Sequence, residues 1–219
     1  MQKLQALIMI GVFIAVAITI VMRLDINGIG SAIWFLASLA MVFIRRPHET
    51  ENMQNKSTLI RQNTLENIAL ALVFLGALIL PLIHLCFGLL RAFNYTTPIG
   101  VTVLGTLVMI GGLWLFWRSH KDLGRNWNVS LHIREGHSLT TGGVYSRIRH
   151  PMYTSIFIIY IAQALLLTNW IIGLSGFASF AFLYLVRVKQ EEAMMREEFG
   201  EQYDEFCRTR GRILPSFRS

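Results

Sequence analysis

Charge is scarce in this sequence. Of 219 residues, 15% are Asp, Glu, Lys or Arg, against roughly 25% in a soluble domain. That scarcity comes with 53% hydrophobic residues and a mean hydropathy of +0.49. Together they exclude a disordered chain, a coiled coil and an ordinary soluble enzyme. Cysteine is scarcer still. Cys86 lies in an apolar run and Cys207 in a polar tail, so no disulfide framework is expected. Nucleotide fingerprints are missing: there is no G-x-G-x-x-G after a strand and no Walker loop. Gly28-Ile29-Gly30 is only a short turn. His120, His132, His137 and His150 share one polar segment, yet their spacings of 12, 5 and 13 fit no zinc pattern. No metal site is expected.

What is present is long apolar runs. Six stand out, over 4–22, 29–44, 68–90, 99–117, 152–167 and 170–186. A helix needs about 20 apolar residues to cross a bilayer, so the chain reads as an all-α, polytopic transmembrane bundle. Lys3 and Ala15-Val16-Ala17 imitate a cleaved leader, but apolar residues continue past them, so the first run is expected to be an uncleaved span. The last two runs, parted only by Thr168 and Asn169, read as a helical hairpin. Pro81 should kink the third run, because it removes one backbone donor. His84 reads as a packing residue in that run, with donation between helices near the kink as the alternative.

The basic residues orient the bundle. With the N-terminus inside, the segments 1–3, 45–67, 118–151 and 187–219 hold 18 Lys and Arg, and the opposite loops hold two, Arg23 and Arg91. This positive-inside asymmetry places 118–151 and 187–215 on the cytosolic side. The net charge of +7 is therefore expected to face anionic membrane lipid and not nucleic acid. Seven of the 13 acids fall between Glu191 and Glu205. In the same region Met195, Phe199, Tyr203 and Phe206 recur at spacings of four, four and three, the stripe of a C-terminal amphipathic helix.

Chemistry concentrates in these two segments. Pro151 suits the first turn of a helix, where a missing donor costs nothing, and it holds His150 extended. The new helix offers backbone donors suited to an anion. Arg187 and Glu191 stand at i and i+4 and share a face. Arg187 can hold a carboxylate bidentately. Glu192 lies about 100° round the helix, and a surface charge is as good a reading of it as a ligand.

Several stretches form an ordered set: Lys121-Asp122-Leu123-Gly124-Arg125-Asn126-Trp127, Gly143-Val144-Tyr145, Arg149-His150-Pro151-Met152-Tyr153, then Arg187, Glu191-Glu192, Phe199-Gly200 and Tyr203. This set, over about 30–215, resembles the isoprenylcysteine carboxyl methyltransferase family of membrane methyltransferases, closest to its small prokaryotic members. The resemblance implies methyl transfer from S-adenosylmethionine in a cytosolic pocket closed by the loop, the hairpin start and the C-terminal helix. It implies a lipophilic carboxylate substrate arriving from the bilayer among membrane lipids; eukaryotic members methylate a prenylated C-terminal cysteine. Carried over by motif, the cofactor-binding residues are His137, Ser138, Leu139, Thr140, Tyr145, His150, Pro151, Met152, Tyr153 and Glu191. Arg187 is the substrate-binding and catalytic arginine. Thr140 departs from a small apolar position, and Ser130 stands where eukaryotic members carry a cofactor-binding glutamine.

A carboxylate is ionised at neutral pH, so its esterification needs no general base, only alignment and exclusion of water. An amine would need a base, and His150 or Glu191 could serve. Methylation of a phospholipid or small amine is therefore the first alternative. A non-catalytic membrane scaffold is the second, and a nicotinamide-dependent reductase, which shares the R-H-P-x-Y pattern, is the third.

Overall fold

A computed structural model describes residues 2–24, 28–53, 57–60, 64–124, 132–134 and 139–216. His137, Ser138 and Ser130 lie outside the described residues. Helix α1 spans Gln2–Met22 and α2 spans Ile29–Met53. Helix α3 (Thr64–Phe74) passes through a π-helical turn at Leu75–Ile79 into α4 (Leu80–Phe87). Then come α5 (Ile99–Leu123), α6 (Pro151–Leu166), α7 (Trp170–Phe199) and α8 (Glu201–Thr209). A short antiparallel ribbon joins β1 (Ser57–Ile60) to β2 (His132–Arg134). It leaves the class all-α but adds a pairing that no alternation in the sequence announces.

The chain is an integral multi-pass membrane protein. Among the described residues, four helical stretches are long and apolar enough to cross a bilayer: Ile29–His48, Thr64–Phe87, Ile99–Leu123 and Trp170–Phe199. Pro151–Leu166 is apolar but shorter. Large apolar side chains such as Leu36, Phe43, Leu107 and Leu185 stay exposed on the outside of the bundle, as a lipid-facing surface requires.

Several helices run past their apolar stretch, because helical hydrogen bonding does not stop where hydrophobicity does. Helix α5 continues to Leu123, and α7 continues thirteen residues beyond Val186. The C-terminal amphipathic helix is consequently not a separate element. Its first half is the end of α7, and Gly200 at φ +52° breaks the rod before α8. The apolar stripe survives the break: Met195 and Phe199 from α7 meet Tyr203 and Phe206 from α8 around Tyr145.

Pro81 acts one turn upstream of itself. Its ring would clash with the preceding carbonyls, and the strain is absorbed by the π turn, where Leu80 N–H reaches back to Leu75 O. Ser175 Oγ donates to Gly76 O at 2.5 Å and ties this irregular turn to α7. His84 is buried in the bundle, as a packing residue. Its ring Nδ1 contacts Leu89 O in the turn that ends its own helix, because Gly88 in the left-handed region folds the chain back there.

Small residues let the helices approach closely. A side chain at Gly112 of α5 would meet Ile159 of α6 at 2.8 Å, and one at Gly176 of α7 would meet Tyr160 of α6 at 2.8 Å. Asn169 caps α7 by accepting from Ile171 N and Ile172 N at 3.1 and 3.0 Å. This cap closes the tight hairpin of α6 and α7 that Thr168 and Asn169 predict. Inside it Gln163 accepts from Trp34 Nε1 at 3.1 Å and donates to Ile172 O at 3.0 Å, fixing α2 against the hairpin. Gly112→Val should therefore overpack the contact of α5 with α6. A loss of about 1–3 kcal/mol is expected, read as a lower melting temperature in detergent, while Gly111→Val, where the added Cβ meets nothing within 4 Å, should leave it unchanged.

Candidate active site

The site forms where α7 emerges beyond its apolar part and meets the start of α6. Pro151 opens α6 in its first turn, and His150 stands before it at φ −125°, ψ 60°. No side chain caps this helix. The segment before it is a 3₁₀ turn at Gly143–Ser146, with Gly143 at φ +59°. Asp122 at the end of α5 holds that turn: its Oδ2 accepts from Val144 N at 2.9 Å and from Arg118 Nε at 3.1 Å. Two separated motifs, K-D-L-G and G-V-Y, are thus one structure. The turn buries Tyr145, whose hydroxyl donates to Ser119 O at 3.4 Å. Burial pushes the phenol groups of Tyr145 and Tyr203 up, so both stay neutral. Leu139 packs against this cluster. Thr140 is half-buried close by in sequence, and Met152 is half-buried in the first turn of α6.

Glu191 and Glu192 diverge by one helical step and serve two clusters. Glu191 accepts a short hydrogen bond from Tyr153 Oη, and His150 Nδ1 lies 3.9 Å from its Oε1. The His150 ring stacks on Tyr153 at 5.4 Å between centroids. Arg187, one turn earlier and 11% exposed, brings its Nε to 3.6 Å from Glu66 Oε1, on α3. Tyr153, Glu191 and Glu66 all act electrostatically on Arg187. Arg187 therefore lies between the carboxylate of Glu191 on its own helix and that of Glu66 on another.

Glu192 is not a surface charge. It is 3% exposed and takes three cationic or polar partners. Arg149 Nη1 lies 3.2 Å from Oε1, His150 Nε2 lies 3.3 Å from the same oxygen, and Arg212 donates to both oxygens at 2.9 and 2.8 Å. Burial alone would raise its pKa. The hydrogen bond from His150 and the charges of Arg149 and Arg212 outweigh that and hold it at about 2. The surface reading fails because the packed end of α6 and the chain end cover that side of α7. After α8 the chain returns as an extended strap. Arg149 N donates to Gly211 O at 2.8 Å, His150 N to Arg212 O at 3.0 Å, and Thr154 Oγ1 to Ile213 O at 2.6 Å. Arg149 also donates to Cys207 Sγ at 2.7 Å.

The expected residues Tyr145, His150, Pro151, Met152, Tyr153, Arg187 and Glu191 thus gather at one end of the bundle. Glu66, Asp122, Glu192 and Arg212 were missed as site residues. A lone acid at the head of an apolar run was the available signal for Glu66. For Arg212 the sequence carries none. Among the described residues, no group of three His, Cys, Asp or Glu side chains is placed to hold a metal.

The model of the isoprenylcysteine carboxyl methyltransferase family matches residues 103–197, the segment holding α5, the Tyr145 turn, the α6–α7 hairpin and both glutamates. Over this segment, under half of the chain, the sequence is similar to that family. Human protein-S-isoprenylcysteine O-methyltransferase is 32% identical over 108 residues, 48% of this chain and 38% of that protein. The Xenopus laevis protein of the same name is 33% identical over 110 residues, again 48% and 38%. The chain thus spans well under half the length of these relatives. A solved eukaryotic intramembrane Ras methyltransferase, isoprenylcysteine carboxyl methyltransferase, shares the fold with a TM-score of 0.57 at 23% identity, covering 92% of this chain and 72% of the other.

Removing the charge of Glu192 should loosen the whole site. Glu192→Gln leaves two arginines facing a neutral group, and about 3 kcal/mol of stability should go. The clamp also has a pH signature. The carboxyl is held below its ordinary 4.5, so its stabilisation is full above that value and is lost as pH falls toward about 2. The gap in melting temperature between wild type and Glu192→Gln in detergent should be narrower at pH 3 than at pH 6; a gap of equal size at both would refute the clamp.

Proposed function

We propose that this chain is an S-adenosylmethionine-dependent carboxyl O-methyltransferase. Its substrate is the carboxylate of an isoprenylcysteine-like or other lipophilic molecule, taken at the cytosolic membrane face. The observation that carries the reading is the convergence of Arg187, Tyr153 and Glu191 where α7 leaves its apolar stretch, in the segment that matches the family. The names of the relatives support the substrate class.

The residues fit the cofactor. The uncapped first turn of α6 offers backbone donors to a carboxylate, and Glu191, with its side chain 31% exposed, offers an acceptor to an amine or to ribose hydroxyls. His137, Ser138, Leu139, Thr140, Tyr145, His150, Pro151, Met152 and Tyr153 complete the assigned cofactor set, by motif. When bound, S-adenosylmethionine supplies a methyl group on a positively charged sulfur. Arg187 orients the incoming carboxylate, and no residue has to remove a proton from it. Tyr153 fixes Glu191 through its hydroxyl. The strap at 211–213 and the Tyr145, Tyr203 and Phe206 cluster close the outer side against water.

An amine substrate is the competing reading. The carboxylates of Glu66 and Glu191 near Arg187 favour it, since they would attract a cationic headgroup. Two measurements separate the readings. In detergent calorimetry, His150→Ala and Glu191→Ala should each weaken S-adenosylmethionine binding by about 1.5–3 kcal/mol; unchanged affinity in both would move the cofactor elsewhere. In turnover with labelled S-adenosylmethionine and an N-acylated farnesylcysteine, Arg187→Lys keeps the charge but loses the planar fork. Activity should fall at least about tenfold with cofactor affinity retained. Near-normal turnover would promote the amine reading.

The cytosolic placement follows from 18 basic residues on one side and two on the other. Reporter fusions after Thr96 should read outside and fusions after Glu135 inside.

A further inference from the structure

Glu66 lies outside every motif that assigns the site, yet it is fully buried. It sits in the first turn of α3, where the helix dipole welcomes an acid. The dipole accounts for an acid at that position; it does not account for its removal from water, which is costly unless a cation compensates. The compensating cation is Arg187, 3.6 Å away on α7. Ser175 of α7 also bonds Gly76 in the π turn that directly follows α3, so the pair sits where the two segments are already tied.

A guanidinium offers two edges to a carboxylate: a side edge that includes Nε, and an end formed by the two terminal nitrogens. Glu66 lies on the Nε edge. We propose that Glu66 is a positioning residue for substrate recognition: by holding the Nε edge of Arg187 from α3, it fixes the plane of the guanidinium so that the terminal nitrogens receive the substrate carboxylate. This rests on the carboxylate reading of the site. It also restricts the substrate class. Glu66 and Glu191 both offset the charge of Arg187, so an acid gains little from net attraction. It gains from short directed bonds that only a planar, correctly aligned group can make.

The test uses the full chain in detergent, with labelled S-adenosylmethionine and an N-acylated farnesylcysteine. Glu66→Gln keeps the shape and removes the charge. It should raise KM for the prenylcysteine about tenfold, the size of one charge-assisted contact, with kcat changed far less and cofactor affinity by calorimetry unchanged. In an Arg187→Lys background the same substitution should leave KM as it is, because the oriented fork is already gone. That background also avoids Arg187→Ala, which would strand a buried carboxylate and risk the fold. Wild-type KM in Glu66→Gln, beside an impaired Arg187→Lys, overturns the positioning role and leaves the carboxylate reading intact. A joint fall of kcat, cofactor affinity and melting temperature marks a purely structural role and also overturns it. Unimpaired Arg187→Lys removes the carboxylate reading and the proposal with it.

Discussion

A buried carboxylate must be compensated, and Glu192 recruits its compensation from three parts of the chain. Arg149 and His150 come from the entry to α6, and Arg212 from the strap after α8. Each guanidinium or ring nitrogen offsets part of the cost of taking the carboxylate out of water. The result is that this end of the bundle is closed by charge pairing where the membrane part is closed by packing. Breaking any one partner leaves the others facing an incomplete site, so the loop end, α7 and the strap stand or fall together.

That clamp sets the direction of its neighbour. With Glu192 turned toward the strap, Glu191 is rotated by one residue of helix and faces Tyr153 and Arg187. Adjacent acids therefore divide the work. One organises the chain, and the other accepts from Tyr153 with its side chain still 31% exposed. His150 touches both sides, with one ring nitrogen near each glutamate. The R-H-P-x-Y run thus holds the fold with Arg149 and His150 and faces the proposed chemistry with Tyr153.

The membrane part supports this arrangement through close contacts. The α6–α7 hairpin is tightened by Gly176 and capped by Asn169, which fixes where Tyr153 and Arg187 arrive at its other end. A ladder of aromatic rings, Phe177, Phe157, Phe180 and Tyr184, runs along the hairpin to Tyr153 with centroid separations of 4.9 to 6.0 Å. Rings at these distances pack edge to face and brace the site from below. The buried Glu66 and Arg187 pair stands at the boundary between this apolar ladder and the polar end.

Linear patterns carried much of the molecule. Apolar runs gave away the helices that cross the membrane, because burial in lipid demands length and hydrophobicity at every turn. Pro151 marked a helix start, Asn169 a tight hairpin, and the stripe from Met195 to Phe206 an apolar face, because each depends on near neighbours in the chain. The motif residues from Tyr145 to Tyr153, with Arg187 and Glu191, were legible for the same reason: they cluster at element ends. The tertiary structure alone decided which charges meet. Glu66 faces Arg187, Glu192 faces Arg212, and Asp122 caps the Val144 turn because particular helices cross at particular heights. Those crossings are set by small-residue contacts and by a glycine break at Gly200, and they turned Glu192, equally readable as a surface charge, into the buried centre of the site. Hydropathy reports how much of a helix is apolar; which neighbour covers a given polar face depends on packing between segments far apart in the chain.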